Sequence, residues 1–458
     1  MNNCKHVLIL GFGREGRSTY RHLRKRYPQM HITIADQNTA LRDDPAVLND
    51  DLLQFHLGDN YLQALEPYDR IIKTPGISLA HHPLLLKDPR ITSQADLFLA
   101  EFGSQTIGIT GTKGKSTTSS LIYHILKKQS DNVLLVGNIG LPPFDFYDQI
   151  NKDTKIVFEL SSHQLEFVHH APHIAVLLNI FQEHLDHYTS YGAYQQAKWN
   201  ITRFQNENDY LVMNVDQPLL QGLWNSAQLQ RHRVPVSISQ RLESGYSLHN
   251  DWIYRDGKAY YDCTSERLLQ GTHNLINIMM SMGVCDVLNV DQPTMFSAIA
   301  DFEPLPHRMQ YIGDYAGIQF YNDSISTIPE ATIAALRSIK TVQTLILGGF
   351  DRGIDYTSLI DFLIMNPIEN IIFVGESGKR IRNLWIDEII NNPQIQNDFV
   401  QFFDATDYTQ VVDIAYHVTT AGHACLLSPA AASYDSFKNF EHRGQTFIEL
   451  VQSKGNQR

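Results

Sequence analysis

The sequence predicts an α/β protein of three domains. Its 458 residues are about three times the roughly 150 of an average domain. Short apolar runs that end in glycine or Ser-Pro turns alternate with helical stretches along the chain. The balance of 43% apolar to 19% charged residues suits a globular chain with several cores.

The run His6-Val-Leu-Ile-Leu10 is a strand that ends in glycines, and a helical stretch with Tyr20 and Leu23 follows it. His31-Ile-Thr-Ile-Ala35 completes a βαβ unit, which makes the N-terminal domain Rossmann-like. Arg70-Ile-Ile-Lys73 adds a strand stopped by Thr74-Pro75-Gly76. A second strand–loop–helix unit opens at Thr106-Ile-Gly-Ile-Thr110, with further strands at Lys155–Glu159 and Ile174–Leu178. After Phe302-Glu-Pro-Leu-Pro306, strands at Thr344–Leu347, Ile371–Val374 and Ala424–Leu427 form another Rossmann-like region. This alternation predicts parallel sheets throughout. The expected domains are residues 1–98, 99–303 and 304–458, and no repeat of 20–50 residues is visible.

A formal net charge of -12 argues against a nucleic-acid binder, while local N–H groups and single lysines can still hold anions. Cys4, Cys263, Cys285 and Cys425 form neither a C-x-x-C pair nor a zinc spacing. They read as free thiols in a reducing cytoplasm. The only apolar run of the first 17 residues is short and closely flanked by the charges of Lys5 and Arg14, so no signal peptide is expected. No apolar run approaches 18 residues, so no membrane span is expected either.

The strongest motif is Gly108-Ile-Thr-Gly-Thr-Lys-Gly-Lys-Ser-Thr-Thr118. Gly111 and Gly114 let the backbone bend around a phosphate, with Thr112 and Lys113 between them. Lys115 can place charge on the β- and γ-phosphates. Ser116, followed by Thr117, can ligate Mg²⁺ at a helix N-terminus that favours anions. The spacing departs by one position from the strict rule, since residue 109 is Ile. The plain alternative is a glycine turn before a helix with a surface lysine. Strand, loop, Lys-Ser and helix agree on a P-loop-type central ATPase. Glu159 ends an apolar strand, where a carboxylate needs either a cation or a salt bridge.

Gly11-Phe-Gly-Arg-Glu-Gly16 follows a strand, and Asp36 lies 20 residues beyond Gly16. Alone, that is a dinucleotide fingerprint and keeps a nicotinamide-dependent oxidoreductase in play, although no catalytic set for hydride transfer accompanies it.

The run T-G-T-x-G-K-S-T-T resembles the ATP loop of the Mur ligases and of the related folylpolyglutamate synthases. The similarity runs nearly the whole length. Gly137-Asn-Ile-Gly140, Glu159-Leu-Ser-Ser-His-Gln164, Asn179 through His184 to Asp186, and Lys198 match the central part. Gly271-Thr-His-Asn274 with Asn277, Leu305-Pro-His-Arg308, Asn322-Asp-Ser324 and Ser428-Pro429 to Gly444 match the later part. Within the family the chain looks most like the glutamate-adding MurD branch, above all at Asn439-Phe-Glu-His-Arg-Gly444. About a hundred residues with their own βαβ unit precede the ATP loop, unlike a folylpolyglutamate synthase. Retention of Lys115, Glu159, His184 and Lys198 together argues against a catalytically dead homologue.

The resemblance implies an ATP-dependent ligase that joins glutamate to UDP-N-acetylmuramoyl-L-alanine through an acyl-phosphate. It implies two Mg²⁺ sites served by Ser116, Glu159, His184 and a carbamylated Lys198. On the residues alone, His184 and Lys198 would instead read as a structural histidine and a solvated helix lysine. Lys115, His184 and Lys198 become the implied catalytic set. Asn274, Asn277, Arg308 and Asp323 join Gly111–Thr117 as implied ATP contacts. Arg14, Glu15, Asp36, Gln37 and Gly76, with Asn138, Ser161, Gln164 and His184, would hold the UDP substrate, and Thr327, Arg352, Ser433 and Phe440 the glutamate. A cytoplasmic monomer is expected. Two positions depart from most MurD chains, which carry lysines where this sequence has Ile325 and Arg352. Asn322-Asp-Ser-Ile-Ser-Thr327, Asp351-Arg-Gly353 and Gly13-Arg-Glu-Gly-Arg17 instead resemble a subfamily that adds L-glutamate, so the expected enantiomer leans to L, with D the alternative.

Overall fold

The computed structural model describes residues 4–44, 47, 50–63, 68–183, 187–225, 232–303, 305–392 and 399–456. His184, expected in the catalytic, metal and substrate sets, lies outside the described residues. Two compact units form, residues 1–270 with 274–302, and residues 271–273 with 303–458.

The first unit holds two sheets. One contains strands β1 (His6–Leu10), β2 (His31–Asp36), β3 (Leu53–Leu57), β4 (Arg70–Lys73) and β5 (Ile91–Ser93), all parallel, in the order β3-β2-β1-β4-β5. The chain leaves β1 toward one edge and returns through β4 to the other. The β1–β4 junction is therefore the topological switch point, where such sheets open a crevice at the carboxyl ends of their strands. Helix α1 (Arg14–Arg26) starts there, directly after the Gly11–Gly13 turn.

Helix α2 (Gln94–Phe102) leads into the second sheet. Its strands are β6 (Thr106–Thr110), β7 (Val133–Gly137), β8 (Lys155–Glu159), β9 (Ile174–Leu177), β10 (Tyr210–Asn214), β11 (His232–Ser237), β12 (Tyr246–His249), β13 (Trp252–Arg255) and β14 (Lys258–Asp262). Helices α3 (Lys115–Gln129), α4 (Ser162–Leu165), α5 (Tyr191–Arg203), α6 (Pro218–Trp224), α7 (Thr272–Val287) and α8 (Gln292–Asp301) complete the unit. The order is β14-β13-β12-β11-β10-β9-β6-β8-β7. Alternate residues of the central strands face opposite cores. Ile107, Ile109 and Val176 pack with Leu121, Ile125, Ile278 and Ala298 of α3, α7 and α8. Ala175, Leu177 and Phe158 pack with Phe98, Leu165, Tyr194 and Ile201 of α2, α4 and α5. Burial on both faces is why these strands read as continuous apolar runs.

The second unit has strands β15 (Gln310–Tyr315), β16 (Ile318–Asn322), β17 (Val342–Gly348), β18 (Asn370–Val374), β19 (Gln401–Ala405) and β20 (Ala424–Leu427), in the order β15-β16-β20-β17-β18-β19. Helices α9 (Pro329–Ser338), α10 (Thr357–Met365), α11 (Gly375–Asn391), α12 (Tyr408–Val418) and α13 (Phe440–Gly455) flank them.

The expectation of parallel sheets throughout fails at two edges. β12–β13, β13–β14 and β15–β16 are antiparallel. Each pair turns through two residues, and positive φ is taken at Asn250 in the first turn, at both Asp256 and Gly257 in the second, and at both Ala316 and Gly317 in the third. Such turns match the right-handed strand twist and close hairpins without a crossover helix. The Asp-Gly pair was the available sequence signal. No helix among the described residues is long and apolar enough to cross a membrane. All four cysteines are free.

Candidate functional site

The phosphate loop joins the buried strand β6 to α3. Gly114 caps α3 with φ +87°, and a Cβ there would lie 2.5 Å from Asn277 Oδ1. Gly111 has φ +156°, and its Cβ would lie 2.8 Å from Leu178 Cβ. Both positions therefore require glycine. The first-turn N–H groups of α3, including those of Ser116 and Thr117, have no acceptor inside the helix and carry its positive dipole end.

Asn179, just beyond β9, clamps this loop. Its side-chain oxygen accepts from Lys113 N at 2.8 Å, its amide donates to Lys113 O at 3.0 Å, and its own carbonyl accepts from Thr112 N at 2.9 Å. The Thr112 hydroxyl meets Tyr194 OH at 2.8 Å and accepts from Phe181 N at 2.9 Å, so it supports the loop from below. Lys113 pairs with Glu183 at 2.6 Å. On α7, Asn277 accepts from Thr118 at 3.2 Å and donates to Asn274 at 2.9 Å, and Asn274 donates to Gln270 O at 2.7 Å. The two asparagines thus brace the start of α3.

Two lysines converge on one carbonyl. Lys115 Nζ donates to Gly111 O at 2.9 Å and Thr112 O at 3.0 Å, and Lys198 Nζ donates to Gly111 O at 2.7 Å. Lys198 rides on α5 and is 2% exposed. Burial, then the Lys115 charge, holds its ammonium well below the usual lysine range, which favours the neutral amine.

Glu159 ends β8 in register with Ile109 of β6, one strand from the loop, and is fully buried. Its Oε1 accepts from Asn138 Nδ2 at 2.7 Å, while its Oε2 has no hydrogen-bond partner. An orphaned buried carboxylate oxygen costs about 1–3 kcal/mol or more, so the site fits a cation. Among the described residues, no group of three or more His, Cys, Asp or Glu side chains could hold a metal. One carboxylate beside a phosphate loop is the donor set Mg²⁺ prefers, with phosphate and water oxygens as its other ligands.

At the switch point of the N-terminal sheet, Arg14 reaches the carbonyls of Gly140 at 3.2 Å and Gly137 at 3.4 Å. Glu15 accepts from Gln164 Nε2 at 2.5 Å. Burial pushes its carboxyl up to about 7. Gln164 also closes a capping box with Ser161 at the start of α4. Asp36 accepts from Phe12 N at 2.7 Å and Asn38 N at 2.8 Å, so both oxygens hold main chain. That arrangement weakens the dinucleotide reading, which wants this carboxylate on a ribose. Gln37 and Gly76 are both exposed.

In the second unit, Asp323 is buried and accepts from Ser326 at 2.5 Å, Ser428 at 2.8 Å and Met309 N at 3.1 Å. Burial raises its carboxyl to about 6. Arg308 Nε is buried without a hydrogen-bond partner. Arg352 donates to Thr327 O at 3.1 Å, which brings two of the expected glutamate contacts together. Phe440 starts α13 and accepts through its carbonyl from Ser324 Oγ at 2.8 Å, and Ser433 is buried in the preceding loop. Arg443 was not singled out from the sequence. Only 1% exposed, it donates to Ser324 Oγ and O, Ala431 O and Ala432 O at 2.8–3.0 Å. Asn179 was likewise missed. Both lay inside runs of family resemblance, but nothing in their spacing tells a clamp from a contact.

Residues 109–285 match the Mur ligase middle domain, and residues 5–88 match the Mur ligase MurD-like N-terminal domain. The chain is 34% identical over 459 residues to a UDP-N-acetylmuramoylalanine–D-glutamate ligase of Listeria innocua, covering 98% of this chain and 97% of that protein. The chain belongs to the Mur ligase family. A protein of the same name from Acetivibrio thermocellus is 32% identical over 408 residues, 88% of this chain and 86% of that protein. Among solved structures, the Mur ligase fold recurs in the UDP-N-acetylmuramate–alanine ligase MurC of Thermotoga maritima. Its TM-score is 0.59 at 16% identity, over 99% of this chain and 100% of that one. MurF of the same organism, in complex with ADP, gives 0.57 at 18% identity over 85% and 90%. Like its family, this Mur ligase is an ATP-dependent, ADP-forming enzyme of peptidoglycan synthesis that makes an amide bond.

Proposed function

We propose that this Mur ligase joins glutamate to UDP-N-acetylmuramoyl-L-alanine. Residues 1–98 would hold the UDP substrate, 99–303 the ATP, and 304–458 the glutamate. The observation that carries the reading is the convergence of Lys115 and the buried Lys198 on Gly111 O, one strand from the unpartnered Glu159 oxygen. The names of the full-length relatives supply the substrate class.

The substrate carboxylate attacks the γ-phosphorus of ATP, the bond to the β-phosphate oxygen breaks, and ADP leaves an acyl-phosphate. The glutamate amine adds to the acyl carbon, loses a proton, and expels phosphate to form the amide. Lys115 and the α3 N-terminus stabilise charge on the transferring phosphoryl group. Ser116 and Glu159 would hold one Mg²⁺, and His184 with Lys198 a second. Bound there, Mg²⁺ supplies charge neutralisation and orients phosphate oxygens. Lys198, held toward its neutral amine, has the nucleophile needed to add CO₂, losing a proton and gaining a carbamate oxygen that can face a metal. Asn274, Asn277, Arg308 and Asp323 would complete the ATP contacts. Arg14, Glu15, Asp36, Gln37, Gly76, Asn138, Ser161 and Gln164 would serve the UDP substrate.

A second reading concerns the enantiomer. The relatives' names carry D-glutamate. Ile325 offers no charge where most MurD chains offer lysine, and Arg352, anchored on Thr327 O, presents a planar fork where they have a second lysine. Loss of one charge-assisted bond weakens a carboxylate by about 1.5–3 kcal/mol, which disfavours the usual D-glutamate pose. On this reading Arg352, with Thr327, Ser433 and Phe440 around it, anchors L-glutamate. Phosphate release with the UDP substrate, ATP, Mg²⁺ and each enantiomer tests both readings. Product with neither overturns the first. A higher kcat/KM for D-glutamate overturns the second alone.

A further inference from the structure

Two kinds of contact join the N-terminal sheet to the central one. On the rim, Arg21 pairs with Asp145 at 2.8 Å and Lys25 with Asp148 at 2.6 Å, the latter pair about 70% exposed. Exposed pairs of this kind contribute little. The second kind is buried. Lys73 ends β4 beside Leu10 of β1, at the switch point, with its side chain 1% exposed. Its Nζ meets Glu166 Oε2 at 2.9 Å, and the same oxygen meets His187 Nε2 at 3.3 Å. The carbonyl of His187 accepts from Ser78 of the N-terminal domain at 2.7 Å.

Glu166 follows α4 directly, two residues after Gln164, which Glu15 holds. Both N-terminal links therefore grip one short capped turn that begins two residues beyond Glu159. Asn200, on the helix that carries Lys198, donates to the carbonyls of Leu165 and Glu166 at 3.1 and 3.4 Å. A lysine, a carboxylate and a histidine out of water are a poor way to gain stability, because desolvation opposes their attraction and apolar residues of similar volume do as well or better. What such a cluster fixes is register.

We propose that Lys73, Glu166 and His187 form a positioning clasp that fixes the substrate-binding end of the N-terminal sheet against the turn between Glu159 and Lys198, so that the bound UDP substrate presents its carboxylate at the right distance from the phosphate loop. The inference rests on the proposed substrate. None of the three residues touches the reacting atoms.

The test uses the full-length enzyme and three variants, Lys73→Met, Lys73→Met with Glu166→Leu, and Lys73→Arg. The double variant removes both charges, which guards against the unfolding that one stranded partner causes. Its expected melting temperature is at or above that of the wild type, with unchanged ATP binding. Its kcat with the UDP substrate falls about tenfold to a hundredfold, the scale of a misplacement near 1 Å. Lys73→Arg, which keeps the charge, recovers most of that loss. A double variant with wild-type kcat and KM overturns the clasp, as does a loss of activity that tracks a fall in melting temperature. A wild type that forms no product with the UDP substrate overturns the proposed function instead, so the two failures are distinguishable.

Discussion

The phosphate loop and the turn at Asp323 are each built around buried charge, yet they are assembled differently. The loop lies within one short stretch of chain, and its conformation is set by Gly111, Gly114 and the dipole of the helix they open. The Asp323 turn is held by Ser428 and by Arg443, about a hundred residues away, with hydrogen bonds to carbonyls of two separate segments. A backbone-determined site tolerates change around it but not within it. A side-chain-assembled site depends on a residue that need not touch a ligand.

Four changes break or sharpen that contrast. The largest effect is expected at Lys115→Ala, which removes the loop's ammonium group without changing its glycines. Phosphate release should fall roughly 10³-fold with an unchanged circular dichroism spectrum. Near-normal release would remove the loop from catalysis. Lys198→Ala comes next, with an expected loss of about 10²-fold, partly restored by added short carboxylic acids that would stand in for the oxygen ligand of the proposed carbamate. Full activity without added acid would make Lys198 purely structural.

Arg443→Lys should act on stability. Lysine keeps the charge but loses the fork, leaving buried carbonyls short of donors, for a cost of about 2–3 kcal/mol in denaturant unfolding of the second unit. An unchanged midpoint would show that the turn at Asp323 stands without its clamp. The smallest change is Glu15→Gln. The folded carboxyl sits at about 7 against an ordinary 4.5, so the native state holds its proton more tightly. Stability from this group is present below about pH 4.5 and is lost as pH rises to about 7. Glutamine should flatten that part of the wild-type stability–pH curve, and an unaltered slope would place the titration elsewhere.

Much of this was readable from the chain. β1, β4, β6, β8 and β20 begin and end where the apolar runs do, because strands buried on both faces need apolar residues at every position. The phosphate loop was legible because a phosphate, two obligatory glycines and a helix start must fall within a few residues of one another. The hairpins at β12–β14 and β15–β16 were not read, since their strands carry the same residue types as the parallel ones and only the two-residue turns differ.

By itself the sequence determined the α/β class, the phosphate loop and the family, since each is written in local spacing. Tertiary structure alone decided that Lys198 is a buried amine beside Lys115 rather than a solvated helix residue, and that Asp36 holds main chain. It also decided that Lys73, Glu166 and His187 share one desolvated contact. The physical reason is the same in each case. A side chain's charge state and role follow from what surrounds it within a few ångströms, and those neighbours come from 24, 83 and 93 positions away in the chain as readily as from the next residue.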